Sequence, residues 1–278
     1  MGLLYDAVHY PMKVEGGSKI SLPALRISCL ARLDENRIVA ATFGQGTYAQ
    51  SADGEWEAMN SGLPERTVTY RLQALNGKLY AATDRGLFAW SSGAWHPTGL
   101  TMPCYRVLEG SSILAGTAIG LTQQADDHWD LSAFPNRAVY DLLSSPQFLF
   151  VGYAKGMAFY DYLTGQWHEF HLDSPVTSLS VCQGRLLGVT AKGELVLGNR
   201  RGGFSTIRFD DKFFYRWVQV GPHILACSSS GLYKMVLHQE NPVLYSIGIR
   251  GAVTDAIELG NRLVVSTLHY GLVSLPFS

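Results

Sequence analysis

A glycine motif that returns seven times, an aromatic column in phase with it and four strand-like segments per repeat predict an all-β fold. Seven four-stranded units of about 40 residues are typical of a seven-bladed β-propeller. The repeats use up the 278-residue chain, so we expect one domain spanning residues 1–278. A solenoid would need polar capping repeats at its two ends, and the sequence shows none.

The repeated motif is a short apolar run, a small or hydroxyl residue, two variable residues and then glycine. Successive motif glycines lie 34 to 40 residues apart: Gly46, Gly86, Gly120, Gly156, Gly193, Gly231 and Gly271. A second column keeps the same spacing: Trp56, Trp95, Trp129, Trp167, Phe204 and Val243. We expect the four tryptophans to be buried between the outer strands of their own blade and the next blade.

The second repeat shows the strands most clearly. Segment 68–75 precedes an Asn76-Gly77 pair, and segment 78–83 follows it. Asn-Gly between apolar runs is a strong signal for a tight hairpin. Two further segments, 87–90 and 94–98, complete a predicted four-stranded blade.

Blade repeats begin near residues 25, 66, 103, 137, 175, 213 and 252. The last repeat has no fourth strand after 272–275, which would leave an open sheet edge. A strand-like segment, Tyr5–Val14, precedes the first repeat. We therefore predict that an N-terminal strand, residues 5–14, completes the last blade and closes the ring.

The first repeat contains Ser51-Ala52-Asp53-Gly54-Glu55-Trp56, followed by Asn60-Ser61-Gly62-Leu63-Pro64. This stretch resembles the Asp-box (BNR) repeat of sialidase-like propellers, although it is one residue short and lacks the threonine. Degenerate copies occur at Ser91–Trp95 and Ala125–Trp129. The resemblance implies a propeller with a Trp-anchored turn and implies no particular activity.

Composition narrows the function. Net charge is −1, which argues against nucleic-acid binding, and 16% charged with 47% hydrophobic residues excludes a disordered chain. No apolar run reaches the roughly 18 residues of a membrane span. The N-terminus shows no secretory signal, and the four cysteines form no CxxC pair. These features predict a cytoplasmic protein with no membrane or nucleic-acid partner.

The first strand of each propeller blade lines the central channel, so the seven first strands are aligned. Their middle position is polar in every blade: Ser28, Arg71, Arg106, Asp141, Ser178, Arg216 and Asp255. Strand alternation would send this column one way and its two neighbouring columns the other. The preceding column carries Tyr70, Tyr105, Tyr140 and Tyr215.

Two interpretations of the polar column stay open. Arg106 with Asp141, and Arg216 with Asp255, occupy neighbouring blades and could form structural ion pairs. The tyrosines could then be packing residues. Arg71 has only Ser28 and Arg106 as ring neighbours, and its guanidinium suits a carboxylate or phosphate.

Net positive charge in the ring and in the loop residues Asp84, Arg85, Lys155 and Lys192 predicts an anionic small-molecule ligand. Candidate catalytic residues, acting in non-hydrolytic chemistry such as that of a lyase, cyclase or isomerase, are Asp141, Asp255, Tyr70, Tyr140 and Tyr215. Candidate ligand-binding residues are Arg71, Arg106, Arg216, Tyr105, Trp217 and His269. The alternative is a non-catalytic scaffold with a protein partner.

Metal and cofactor motifs are missing from the sequence, so we expect neither. His168 and His171 are three apart on a predicted strand and point to opposite faces. No HExxH, GxSxG, P-loop or GxGxxG pattern occurs. Cys104 precedes Tyr105 and Arg106, and a nearby arginine could lower the pKa of its thiol.

Overall fold

The computed structural model describes residues 18–20, 25–51, 54–110, 112–199 and 202–277, the first of these segments by its backbone alone. It contains seven four-stranded antiparallel sheets, and the described residues include no helix. The prediction of an all-β seven-bladed propeller is therefore confirmed. No helix long and apolar enough to cross a membrane occurs in this part of the chain.

The first strand of the chain, β1 (Ser18–Ile20), belongs to the last blade. Blade 1 contains β2 (Ile27–Arg32), β3 (Ile38–Thr42), β4 (Thr47–Gln50) and β5 (Trp56–Ala58). Blade 2 contains β6 (Thr69–Leu75), β7 (Lys78–Thr83), β8 (Gly86–Ser91) and β9 (Ala94–Pro97). Blade 3 contains β10 (Cys104–Glu109), β11 (Ile113–Thr117), β12 (Gly120–Ala125) and β13 (His128–Ala133).

Blade 4 contains β14 (Val139–Ser144), β15 (Phe148–Tyr153), β16 (Gly156–Asp161) and β17 (Gln166–His171). Blade 5 contains β18 (Val176–Cys182), β19 (Arg185–Thr190), β20 (Leu195–Gly198) and β21 (Phe204–Ile207). Blade 6 contains β22 (Phe214–Val220), β23 (His223–Ser228), β24 (Gly231–His238) and β25 (Asn241–Arg250). Blade 7 contains β26 (Val253–Leu259), β27 (Arg262–Thr267) and β28 (Leu272–Pro276), with β1 at its edge. The first strands of successive blades contact one another around the channel.

Turn chemistry explains the repeated motif. Asn76 and Gly77 have φ values of 43° and 77°, as a two-residue hairpin turn requires. In the next turn the Thr83 hydroxyl donates a 2.8 Å hydrogen bond to the Gly86 carbonyl. Gly86 has a φ of 118°, and a Cβ there would lie 2.0 Å from the Leu100 carbonyl oxygen. The hydroxyl and glycine columns are therefore local requirements of the turn between the second and third strands.

The ring is closed by an N-terminal strand, as predicted, but the segment that closes it is β1. Ser18 pairs with Ser274, and Ile20 pairs with Leu272. The predicted segment, 5–14, lies outside the described residues. This pairing covers the edge of β28, the third strand of blade 7, which would otherwise be open.

The tryptophan column packs in the opposite direction from the one expected. Trp95 is 1% exposed, and its indole donates a 2.7 Å hydrogen bond to the Met59 carbonyl of the preceding blade. Trp129 donates likewise to the Thr98 carbonyl, at 3.0 Å. The other tryptophans of the column, Trp56 included, are only half-buried. Alternation shows which residues share a face of a blade, but it does not show which neighbouring blade that face meets.

Candidate functional site

Every first strand begins with a β-bulge. The pairing with the second strand skips one residue in each blade, namely Ser28, Tyr70, Tyr105, Tyr140, Thr177, Tyr215 and Thr254. We call these seven residues the bulge column. A bulge places two consecutive residues opposite one, so strict alternation fails there. The expectation that the tyrosines and arginines point opposite ways is therefore wrong, because Tyr70 and Arg71 line the same chamber.

The bulges also correct the alignment of blade 1. Ile27 pairs with Thr42 and Cys29 with Ala41, just as Thr69 pairs with Thr83 and Arg71 with Ala82. Ser28 thus belongs to the bulge column. The polar column, in the sense used from here on, consists of Cys29, Arg71, Arg106, Asp141, Ser178, Arg216 and Asp255.

The bulge column surrounds the mouth of the channel on the face where the first strands begin. It encloses an upper chamber of about 210 Å³, lined by Ser28, Phe43, Tyr70, Arg71, Tyr105, Tyr140, Thr177, Tyr215 and Arg216. Three tyrosines form a continuous arc, with ring centroids 5.1 Å apart for Tyr70 and Tyr105 and 5.0 Å for Tyr105 and Tyr140. All four predicted tyrosines therefore lie together at the mouth.

The tyrosine hydroxyls of this arc are hydrogen-bond donors at neutral pH. Burial, reinforced by the neighbouring Tyr70 and Tyr140, raises the pKa of Tyr105 to about 12. Burial also raises the pKa of Tyr140, and burial together with the Asp84 carboxylate raises that of Tyr70. A protonated phenol can donate to an anion, and its donation strengthens as negative charge develops on the ligand.

Below the bulge column, polar-column side chains accept backbone amides from the next blade. The Leu179 amide donates to Asp141 Oδ2 at 2.7 Å, and the Trp217 amide donates to Ser178 Oγ at 3.0 Å. The Leu30 amide donates to Asp255 Oδ2 at 3.0 Å. The Leu72 amide donates to the Cys29 thiol. These inner-strand amides would otherwise be buried without an acceptor.

Arginine cannot accept a hydrogen bond. In the blade that follows each arginine of the polar column, another side chain therefore accepts the inner-strand amide. After Arg106, the Leu142 amide donates to Asp141 Oδ1, and after Arg216, the Ala256 amide donates to Asp255 Oδ1, each at 3.0 Å. After Arg71, by contrast, the Val107 amide donates to Gln73 Oε1 at 2.9 Å. Two arginines are thus followed by a carboxylate, and the third is followed by a neutral amide.

The ion pairs follow the same division. Arg216 Nη1 donates to Asp255 Oδ2 at 2.9 Å, and Arg106 Nε lies 3.2 Å from Asp141 Oδ1. Among the described residues, the nearest carboxylate contact of Arg71 is 3.9 Å, to Asp141 Oδ1. Burial, Arg106 and Arg216 together lower the pKa of Arg71 to about 9. The three arginines and two aspartates, which we call the cationic layer, carry a net charge of +1.

The first strands end on the opposite side of the cationic layer, around a lower chamber of about 520 Å³. Arg71 and Arg216 line both chambers, whereas Arg106 and Trp217 line only the lower one. His269 is exposed in the β27–β28 turn and lines neither chamber. Apart from His269, the predicted binding residues are therefore divided between two ends of one channel.

Sequence reasoning missed three contributors. Phe43 and Thr177 line the upper chamber, and Gln73 takes the acceptor role beside Arg71. Thr177 precedes a polar-column serine, so its position in the aligned triplet was an available signal. The Phe43 turn and the Gln73 acceptor had no signal in a column alignment.

Cofactor and nucleophile chemistry gain no support from the described residues. No group of three or more His, Cys, Asp or Glu side chains placed to hold a metal ion occurs in that part of the chain. Cys104 is buried, and burial raises the pKa of its thiol to about 12. The expected lowering of that pKa by Arg106 is wrong, because desolvation of the thiolate outweighs the lowering by a hydrogen bond with the Arg106 backbone.

The comparisons with known proteins agree on the architecture. No protein-family model and no curated protein matches the sequence. One similar structure is the extracellular domain of BT4673, described as a hybrid two-component system, from B. thetaiotaomicron. It has a TM-score of 0.75 and 17% identity over 93% of this chain, which spans only 39% of that protein.

Two other similar structures match over nearly their whole length. A catalytically inactive virginiamycin B lyase from Staphylococcus aureus, with quinupristin, has a TM-score of 0.71 and 10% identity, covering 96% of this chain and 100% of that one. The WD40 propeller domain of Doa1 has a TM-score of 0.68 and 10% identity, covering 95% and 96%. Likeness at such identity shows the fold alone, so the Asp-box resemblance and the cytoplasmic location stay predictions.

Proposed function

We propose that this propeller binds an anionic small molecule in the upper chamber, with Arg71 as the anchoring cation. The observation that carries the proposal concerns carboxylates among the described residues: Arg106 and Arg216 each have an aspartate within 3.2 Å, and Arg71 has none there closer than 3.9 Å. The Arg71 guanidinium is buried beside those of Arg106 and Arg216, so an anion that reaches it stabilises its charged form. Arg71 lines the upper chamber directly.

The surrounding groups favour an oxygen-rich ligand. The arc of Tyr70, Tyr105 and Tyr140 presents hydroxyl donors, and Ser28 and Thr177, in the two blades that flank the arc, add smaller hydroxyl groups. A carboxylate or phosphate could accept from the planar Arg71 fork and from one tyrosine at the same time. The small volume, about 210 Å³, suits a compact ligand or the head group of a larger one.

If chemistry follows binding, it is non-hydrolytic and uses the tyrosines as proton donors, as in a lyase, cyclase or isomerase. The similar propeller named as a lyase supports this class only through its fold. Asp141 and Asp255 are buried, and their oxygens already accept backbone amides and guanidinium groups. Their catalytic role stays a prediction, and the geometry supports an ion-pairing role for them more directly.

A scaffold role is the second candidate. Phe43 and Ile119 stand in turns on the same face as the upper chamber and are 44% and 40% exposed. Exposed apolar side chains beside a channel mouth could contact a protein partner. This role predicts that no small anion binds with an affinity that depends on Arg71.

Calorimetric titration with inorganic phosphate and acetate at low ionic strength tests the proposal. Arg71→Gln should weaken binding by at least about tenfold, because a hydrogen bond to a charged group contributes roughly 1.5–3 kcal/mol. The affinity of Arg71→Lys should lie between those of wild type and Arg71→Gln, since lysine keeps the charge and loses the planar fork. Arg85→Gln is the matched control, an exposed arginine in the β7–β8 turn on the same face.

The alternatives give different titrations. Equal affinities for wild type and Arg71→Gln would remove Arg71 from the site. Equal losses in Arg71→Gln and Arg85→Gln would indicate a diffuse surface charge instead of a site. No measurable binding of either anion to the wild type would favour the scaffold role.

A further inference from the structure

The lower chamber differs from the upper one in what lines it. Its walls include Leu143, Leu179, Trp217, Val218 and Ile257 together with the polar side chains of Gln73, Ser180 and Gln219. Its ceiling is formed by Asp255 and the three arginines of the cationic layer. Tyrosine rings and hydroxyl groups line the upper mouth, whereas aliphatic side chains and one indole lie beside polar groups in the lower one. An apolar space closed by guanidinium groups has the polarity of an amphipathic acid.

We propose that the lower chamber is a second binding site, for a monocarboxylic acid with a compact apolar body. The carboxylate would lie against Arg106 and Arg71, and the apolar body would cover the aliphatic walls. The inference rests on the same cationic layer as the proposed function, because Arg71 lines both chambers. It differs in the chamber used, in the residues contacted and in the ligand class.

All three arginines of the cationic layer line the lower chamber. The side chains of Arg71, Arg106 and Arg216 retain 16%, 23% and 16% of their exposure. Of these, Arg106 lines the lower chamber and not the upper one. Asp255 also lines this chamber, but its oxygens accept two backbone amides and the Arg216 guanidinium, so the net charge of the cationic layer toward a ligand stays positive.

Size and polarity select the ligand class. The volume of about 520 Å³ lies within the range of small-molecule sites, roughly 300–1,000 Å³. A phosphate dianion would lose hydration against the aliphatic part of the walls, which gives no hydrogen bonds in return. A neutral apolar molecule would leave the guanidinium groups facing hydrocarbon. A single carboxylate on an apolar body satisfies both surfaces.

A ligand series tests the charge and the apolar body separately. The probes are acetate, butyrate, hexanoate, 4-phenylbutyrate and the uncharged 4-phenylbutanol, titrated calorimetrically into the whole protein. Each buried CH₂ should raise affinity about fourfold. We expect 4-phenylbutyrate to bind far more tightly than acetate, and 4-phenylbutanol to bind at least tenfold more weakly than 4-phenylbutyrate.

Ala74→Trp blocks the chamber without changing a charge. Ala74 is exposed and lines the lower chamber, so an indole there fills the space from an uncrowded position. This variant should lose 4-phenylbutyrate binding and keep the phosphate affinity of the upper chamber. Ala58→Trp, at an exposed position in the outer strand β5, is the matched control and should behave as wild type.

Three outcomes would overturn the inference: affinity that does not rise with the apolar body, equal binding of the acid and the alcohol, or unchanged 4-phenylbutyrate binding in Ala74→Trp. In each case Arg71-dependent phosphate binding would still support the proposed function. Conversely, a wild-type protein that binds 4-phenylbutyrate but not phosphate would contradict the proposed function and support only the lower site. Melting temperatures of both tryptophan variants confirm that the compared proteins are folded.

Discussion

The polar column contains two kinds of residue at the same position of the same strand. Cys29, Asp141, Ser178 and Asp255 each accept an amide of the following blade. At that position the other three blades carry arginine, which accepts nothing. One group therefore joins blades, and the other concentrates positive charge in the channel.

This difference separates residues that the hydrogen bonding between blades requires from a positive charge that it does not require. Where Arg106 and Arg216 interrupt the series of acceptors, an aspartate of the next blade satisfies its own strand and neutralises the arginine. Where Arg71 interrupts the series, the Gln73 amide bonds to the backbone of Val107 instead, and the charge of Arg71 is not neutralised. Hydrogen bonding explains the aspartates completely, and it gives no reason for Arg71 to be there.

The largest expected effect is at an amide acceptor. Asp255→Ala removes the acceptor of the Leu30 and Ala256 amides and leaves Arg216 buried without its carboxylate. Breaking a buried ion pair from one side costs about 3–5 kcal/mol. Thermal unfolding should therefore show a melting temperature lower by about 10 °C.

Asp255→Asn is the control for this prediction, because an amide oxygen can still accept one of the two backbone donors. It should destabilise the protein less than Asp255→Ala. If the alanine variant melts within about 2 °C of wild type, the acceptor role of the polar column is wrong.

A smaller effect is expected at Cys29, the weakest acceptor of the column. Cys29→Ala leaves the Leu72 amide buried without a partner, which costs about 1–3 kcal/mol. Cys29→Ser supplies a hydroxyl like that of Ser178 and should lose less. Chemical denaturation of both variants measures the difference, and a serine variant no more stable than the alanine variant would show that the amide contact contributes nothing.

Much of the fold could be predicted from the sequence because turns have local requirements. The glycine and hydroxyl columns and the Asn76-Gly77 pair each satisfy a hairpin within their own blade. The direction of tryptophan packing could not be predicted, because it depends on how two blades meet. The edge strand of blade 7 was placed too early in the chain, since a three-residue strand such as β1 has almost no pattern of its own.

The site was predictable in its residues but not in its arrangement. The polar column identified the arginines and aspartates, and the preceding column identified the tyrosines. A bulge in each first strand then turned both columns toward the channel, and one-residue bulges have no signature in an alternating pattern. In blade 1 the aligned sequence assigns Ser28 to the polar column, whereas the strand pairing assigns Cys29 to it. Alternation cannot detect such a shift of one residue.

The smallest expected effect on stability is at Arg71, and it tests the comparison most sharply. Burial and two neighbouring guanidinium groups lower its pKa to about 9, so its charged form is disfavoured in the folded protein. Arg71→Met, which keeps an unbranched apolar stem and removes the charge, should melt at or above the temperature of wild type at pH 7. Because a lowered pKa means that the folded state binds the proton more weakly than the unfolded state, the advantage of the variant should be present below pH 9. A melting temperature well below that of wild type at pH 7 would make Arg71 a structural residue, like the aspartates, and the upper chamber would lose its anchoring cation.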